Sequence, residues 1–186
     1  GQGRILNHLD SDALARYAKR VGGALKPALQ GTKSALFSDS WEVYTEGLWS
    51  THLDPVFRDR FGYELEPYKE RIDDYPDVRY DYRKILSDAV IKGFFQPYAK
   101  LCHQLDAVSR VQCHGAPTDL LAAFALVDVP ESEALLFETF FSAIPGSAAA
   151  LASRPVVTCE TFTCIYGYEP WPKPSPHHGE EKIEDM

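Results

Sequence analysis

Four stretches of this chain end an apolar, strand-like run in side chains that can hold or move protons. Residues 36–42 (LFSDSWE) close on Asp39, Ser40, Trp41 and Glu42; QCHG brings Gln112 and His114; DVPESE brings Glu131 and Glu133; CETFT brings Glu160. A carboxylate placed where a buried strand emerges is costly to desolvate unless it has a partner or a task. Several separated carboxylates around one cleft are the minimum equipment for breaking a glycosidic bond. One, kept protonated, donates to the leaving oxygen while another activates water, at roughly 6.5–9.5 Å from the first when configuration inverts. Glu42, Glu131, Glu133 and Glu160 are the candidates. Any one of them alone also suits a helix N-terminus or a solvated loop; the repetition at successive strand ends points to a shared site.

Aromatic side chains accompany these acids. Trp41, Tyr44, Trp49, Phe162, Tyr166 and Trp171 could stack on sugar faces, although aromatics are also ordinary core and Trp49 and Phe162 read better that way. Gln112 and His114 could bond hydroxyls or place a water, while a His before a Gly at a strand end equally suits a structural cap. Asp39 with the glutamates could hold a hard cation such as calcium through oxygen ligands, but no spacing fixes a metal. His177 and His178 stand in a proline-rich loop without a ligand partner at useful spacing.

The elements that must position these residues alternate. Asp10 can cap a helix over 10–21 that Gly22 and Gly23 would end, and residues 34–38 form the first strand. A helix follows Trp49, Ser50 and Thr51, places Leu53, Val56, Phe57 and Phe61 on one face and stops at Gly62. After a polar loop to Pro76, residues 78–105 read as a long helical region that Pro97 kinks or splits. Strand two is expected at 108–113, a short helix capped by Thr118 and Asp119 at 120–124, and strand three at 125–129. Residues 134–144 read as helical, Pro145 and Gly146 as an interruption, 147–153 as a compact helix and 155–159 as strand four. Residues 166–179 are proline-rich loop, and a further helix begins at Glu180. Strands separated by helices of this length require crossovers and a parallel sheet, so the class is α/β. Polar residues at every strand end suit a (β/α) TIM-barrel type of fold; an open doubly wound sheet is the alternative. The phosphate-binding glycine motifs are missing, which weakens a nucleotide-binding version. A complete barrel takes about 250 residues, so 186 residues read as a partial barrel, a single domain over 1–186 truncated at both ends.

Composition narrows the partners. The chain is 45% hydrophobic and 25% charged, a globular balance with material for a core. A net charge of -8 and a pI near 5.2 argue against nucleic acid or an anionic membrane surface and favour a neutral or cationic ligand. No run is long enough to span a bilayer and none has the form of a signal peptide. Cys102, Cys113, Cys159 and Cys164 follow no zinc or redox spacing and read as small buried hydrophobes.

Taken together, DSWE, WS with FRDRFGYELEPY, RVQCHGAP, DVPESE, GSAAALASRPVVTCETFT and HGEEKIEDM resemble, in that order, the central barrel of the α-L-rhamnosidases of glycoside hydrolase family 106 and their close relatives. The resemblance runs from about Ile5 to Met186. It implies a (β/α)-barrel core, inverting hydrolysis of terminal α-L-rhamnosides by two glutamates, and a calcium ion that helps to bind sugar hydroxyls. It also implies a bacterial periplasmic or secreted protein of polysaccharide degradation, in which the remainder of a larger barrel completes the pocket. By motif, Glu42 is similar to the general acid and Glu160 to the general base, with Glu131 or Glu133 lining the pocket, assisting water or serving as the base instead. Asp39, Trp41, Gln112, His114 and Trp171 would contact substrate. Two other readings stand beside it: a non-catalytic carbohydrate-binding or interaction fragment, and a metal-dependent hydrolase using Asp39, His114 and Glu160.

Overall fold

The computed structural model describes residues 6–41, 48, 50, 52–133 and 139–161. Asp10 caps helix α1 (Ser11–Leu29) by accepting from the Asp12 N–H. The helix does not stop at Gly22 and Gly23 but runs through them. A side chain on Gly22 would come within 3.2 Å of Leu105, so that glycine serves close packing rather than termination. Strand β1 (Ser34–Ser38) has the expected bounds, and α2 (Leu53–Phe61) ends at Gly62, whose φ of 78° is the left-handed cap expected there. The segment expected as loop before Pro76 contains a 3₁₀ helix, Glu66–Asp74.

Helix α3 (Pro76–Val90), a π-helical stretch (Ile91–Phe95) and α4 (Gln96–Gln104) form one continuous helical run. Pro97 lies in the first turn of α4 and cannot donate to the preceding turn; the widened π geometry just before it accommodates the proline without ending the helix. Gly93 in that stretch lets the Leu9 backbone approach to where a Cβ would lie 3.2 Å from its carbonyl.

Strand β2 (Ala107–Val111) follows, then α5 (Leu120–Leu126), capped by Asp119 through the Ala122 N–H, and β3 (Val129–Glu133). The third strand therefore starts where the sequence reading ended it. Ala125 and Leu126 complete α5, and VPESE, which looks like loop, is a strand because its buried polar groups find partners across the sheet. Helices α6 (Thr139–Ser142) and α7 (Ile144–Leu151) precede β4 (Thr158–Glu160). Pro145 does not interrupt; it sits in the first turn of α7, where its missing N–H costs nothing.

All three pairings are parallel, in the order β1-β2-β3-β4. One face of the sheet is covered: Ser109, Val111 and Cys113 are fully buried there, next to a core that includes Phe57, Val90, Phe95 and Phe124. On the other face Ala35, Phe37 and Val108 are exposed. Among the described residues helices lie on one side only, which distinguishes a partial barrel from a doubly wound sheet, covered on both. The fold is an incomplete TIM-type barrel whose inner face the described residues leave open. Among the described residues no helix is long and apolar enough to cross a membrane.

Burial pushes the Cys102 thiol up to about 11 and the Cys113 thiol up as well, so neither forms a reactive thiolate near neutrality. Both are buried and unbridged, as expected; Cys159 is exposed, contrary to the reading of it as core.

A polar clip ties the covered face together. One oxygen of Asp128 accepts from the Ser109 N–H (2.9 Å), the Ser109 hydroxyl (2.8 Å) and His103 Nε2 (2.8 Å), and the Asp128 N–H donates to Ser109 Oγ at 3.0 Å. Arg154 approaches the other oxygen at 3.5 Å. Burial alone would raise the Asp128 carboxyl, but the Ser109 and His103 bonds outweigh it and hold it below the ordinary range. The stability it supplies is thus complete above the unfolded value of about 3.9 and is lost as pH falls through the lowered folded value. Asp128→Ala leaves the buried Ser109 donors unanswered and is expected to cost about 2–4 kcal/mol, with a flatter acid limb in melts recorded from pH 2 to 7. A melt within a few tenths of a kcal/mol of the parent would show the clip to be incidental.

Candidate active site

The pleat places every second residue of each strand on the open face. Phe37 is in register with Arg110, Arg110 with Val129, Glu131 with Thr158, and Glu133 with Glu160. One step beyond the Val111–Pro130 pair, Gln112 comes alongside Glu131, and after it His114 alongside Glu133. Polar residues therefore line up across three strands in layers at the C-terminal end of the sheet, while Ala35, Phe37 and Val108 occupy the apolar layers below.

Glu131 is the centre of this arrangement and is fully buried. Its Oε2 accepts from Arg110 Nε and from the Thr158 hydroxyl at 2.5 Å, and its Oε1 from Gln112 Nε2 at 3.2 Å. The same Gln112 nitrogen donates to Glu160 Oε2 at 2.7 Å. One amide thus bridges two carboxylates. Burial acts to raise the Glu131 carboxyl, yet the three hydrogen bonds and the Arg110 charge together keep it below its usual range, so it is ionised. Arg110 is in turn raised, first by its bond to Glu131. Phe37 packs its ring against the guanidinium, 4.9 Å from the ring centre.

Gln112 is buried, and its Oε1 has no hydrogen-bond partner among the described residues. The amide cannot be turned over, because that would aim its oxygen at two carboxylates. A buried acceptor left in this state costs about 1–3 kcal/mol, which a hydroxyl or a water donor would remove. His114, also buried, bonds through Nε2 to Glu133 Oε2 at 2.7 Å, and its ring meets Phe141 edge-on. Glu160 is half-buried, at the end of β4.

The structure brings together Gln112, His114, Glu131, Glu133 and Glu160. Asp39 is exposed beyond β1, with one oxygen turned back to the Ser40 N–H at 2.8 Å. Trp41 is placed otherwise than a sugar platform requires. It is buried against His8, Phe94 and Phe95, at 4.6, 5.8 and 6.3 Å between ring centres, so its ring packs the core beneath the site. Burial also lowers His8 in that stack. Glu42, Tyr44, Trp49, Phe162, Tyr166, Trp171, His177 and His178 lie outside the described residues.

Arg110 and Thr158 were missed by the sequence reading. Their signal was the two-residue period: Arg110, Gln112 and His114 share one face of β2 and its extension, Glu131 and Glu133 one face of β3, and Thr158 and Glu160 one face of β4. Among the described residues no group of three or more His, Cys, Asp or Glu side chains could hold a metal ion, and both Glu131 oxygens are already committed.

No family model matches the chain. A curated protein of Formosa agariphila named "Putative beta-glucuronidase" is 26% identical over 145 residues, which cover 72% of this chain and 12% of that protein. Among solved structures, the rhamnosidase from Novosphingobium sp. PP1Y superposes with a TM-score of 0.70 at 20% identity, over 86% of this chain and 18% of the other. The chain thus spans less than one fifth of either relative's length. At that identity the superposition establishes a shared fold alone, that of an incomplete barrel of parallel strands and helices.

The ends of β1 and β2 are joined above this site by the Trp41 N–H, which donates to the His114 carbonyl at 3.1 Å. Gly115, at φ 76°, makes room for that bond; a Cβ there would lie 2.4 Å from the Trp41 oxygen. Gly115→Ala is expected to destabilise the fold by roughly 2–4 kcal/mol, combining left-handed strain with the clash, as read from denaturant midpoints. A change below 0.5 kcal/mol would mean that the two loops part without cost.

Proposed function

We propose that this chain supplies one wall of the active site of an inverting glycoside hydrolase that cleaves a neutral terminal sugar of the α-L-rhamnoside type. The observation that carries the reading is the Gln112 bridge between Glu131 and Glu160 at the C-terminal ends of parallel strands. The bridge suggests separate roles for the three glutamates described at the site. Glu131 is closed to water and holds three donors, so it fixes charge and geometry rather than taking a proton. Glu133 is tied to His114. Glu160, half-buried and steadied by one amide, is the base that takes the proton of the attacking water.

The acid must stand across the sugar from the base, with room for that water. Glu131 cannot fill the role, because a single nitrogen spans it and Glu160, whereas inversion needs roughly 6.5–9.5 Å. Glu42 follows directly on Trp41, whose backbone is bound to His114 at the same rim, and is the acid in this reading. Gln112 Oε1 and Asp39 take sugar hydroxyls, and the remaining wall of the pocket comes from the rest of a larger barrel.

The charge of the described wall favours a neutral sugar. Glu131, Glu133 and Glu160 face the site, and the Arg110 guanidinium bonded to this cluster is already engaged with Glu131. A glucuronide would bring a further carboxylate into this field; a deoxyhexose brings only hydroxyls. Calcium remains part of the proposal through the resemblance, with ligands beyond the described residues, and no step above depends on it.

In the full-length protein, an aryl α-L-rhamnoside is expected to be hydrolysed with inversion and an aryl β-D-glucuronide to be left intact, and chelator is expected to weaken binding. Glu160→Gln should lower kcat by about 10²–10⁴-fold with KM little changed, as removal of a general base does. Turnover of the glucuronide alone, or full activity of Glu160→Gln, would overturn the assignment.

A further inference from the structure

We infer that Arg110 is a positioning residue of this site: by neutralising the buried Glu131 it lets Gln112 hold Glu160 in a fixed place. The inference rests on the reading of Glu160 as the base and extends it to a residue that would not touch the sugar.

The groups that face Glu131 come from three strands. Arg110 and Gln112 reach it from β2, Thr158 and Glu160 stand on β4, and Glu133, paired with His114, lies two residues along β3. Asp39 lies beyond the end of β1. Two carboxylates that share one amide nitrogen repel each other, and at the buried Glu131 that repulsion is less screened than in water. Arg110 offsets it at the member that water cannot reach. Without that cation Glu131 would take up a proton. A protonated Glu131 offers the Gln112 N–H only a neutral carbonyl oxygen, so one of the two acceptors that fix the amide's plane is weakened. Glu160 would then be held by a donor that can turn.

Two features suit the guanidinium for this task. Its Nε–H lies in the plane of the group and meets Oε2, and the Phe37 ring stacks on the face left over, holding that plane. A lysine ammonium would carry the charge without the plane. Thr158 adds a neutral donor to the same oxygen, so the charge of Arg110 is separable from the hydrogen bonding around it.

The test uses the full-length protein and its hydrolysis of an aryl α-L-rhamnoside across pH. Arg110→Met is expected to lower kcat/KM about tenfold to a hundredfold near neutrality, mainly through kcat, and to move the acid limb of the profile upward by about one unit or more. Arg110→Lys should fall between Met and the parent. In the Arg110→Met/Glu131→Gln double variant neither buried charge remains, and the acid limb should return to its parental position. A folded Arg110→Met with the parental profile, or a double variant whose limb stays with the single, would overturn the inference.

If Arg110→Met does not fold, Thr158→Val takes its place, with a smaller shift in the same direction expected and an unmoved profile overturning the claim. Melting temperature gives a readout that needs no substrate. In the parent, the stability from Glu131 is complete above the ordinary carboxylate range and is lost as pH falls through its lowered value. In Arg110→Met it should instead fall as pH rises through the raised value; the parental pH dependence in that variant would count against the inference. An active Glu160→Gln would refute the base itself, whereas an inactive Glu160→Gln beside an unmoved Arg110→Met would refute only the role of Arg110.

Discussion

A carboxylate that water cannot reach must be answered by the protein, and the buried Glu131 sets that demand at the centre of this sheet. The answer comes from neighbouring strands on both sides: Arg110 and Gln112 on β2, and Thr158 on β4. Satisfying one residue therefore fixes the relative register of three strands. A slip of one residue would turn Arg110 or Thr158 to the helix-covered face and leave the charge stranded. This also explains how VPESE can be a strand at all. Its intrinsic preference is poor, and cross-strand partners override it.

The constraint acts on the two faces differently. On the covered face, the Asp128 clip joins α4, β2 and the start of β3 through backbone and hydroxyl donors, so a second buried charge is satisfied without reaching the site. On the open face, polar layers at the C-terminal end give way to Ala35, Phe37 and Val108 below. That division is the one a barrel interior requires: a packed floor and a chemical rim. Phe37 belongs to both, as part of the apolar layer and as the plate on which the Arg110 guanidinium lies.

Much of this is legible in the sequence. The strand at residues 34–38, the Asp119 and Gly62 caps, and the parallel α/β order follow from local chemistry that tertiary contacts had no reason to override. So did the grouping of Gln112, His114, Glu131, Glu133 and Glu160. The errors share a cause. Gly22, Gly23 and Pro145 were read as stops because glycine and proline usually end helices, yet Gly22 is needed for the approach of Leu105, and Pro145 sits where a proline is harmless. The third strand was misplaced because its partners are distant in sequence: Arg110 lies 21 residues from Glu131, and Thr158 lies 27 away. Arg110 went unnoticed because a single arginine in a strand pattern carries no local signal; only its period with Gln112 and His114 marks the face it shares. Trp41 adjoins acids and so reads both as a possible platform and as core; a residue that follows a strand end can turn inward, and here its ring does.

That inward turn bears on how the site is held. Trp41 anchors the chain immediately before Glu42, with its ring among His8, Phe94 and Phe95 and its N–H on the His114 carbonyl. His114 in turn holds Glu133, and Gln112, two residues earlier, holds Glu131 and Glu160. The short stretch from Arg110 to Gly115 therefore touches Glu131, Glu133 and Glu160 and also the residue that leads into Glu42. In this fold the relative placement of Glu131, Glu133 and Glu160 runs through β2 and the turn after it, which makes the second strand, rather than any of the acid-bearing segments, the element that holds these side chains in one arrangement.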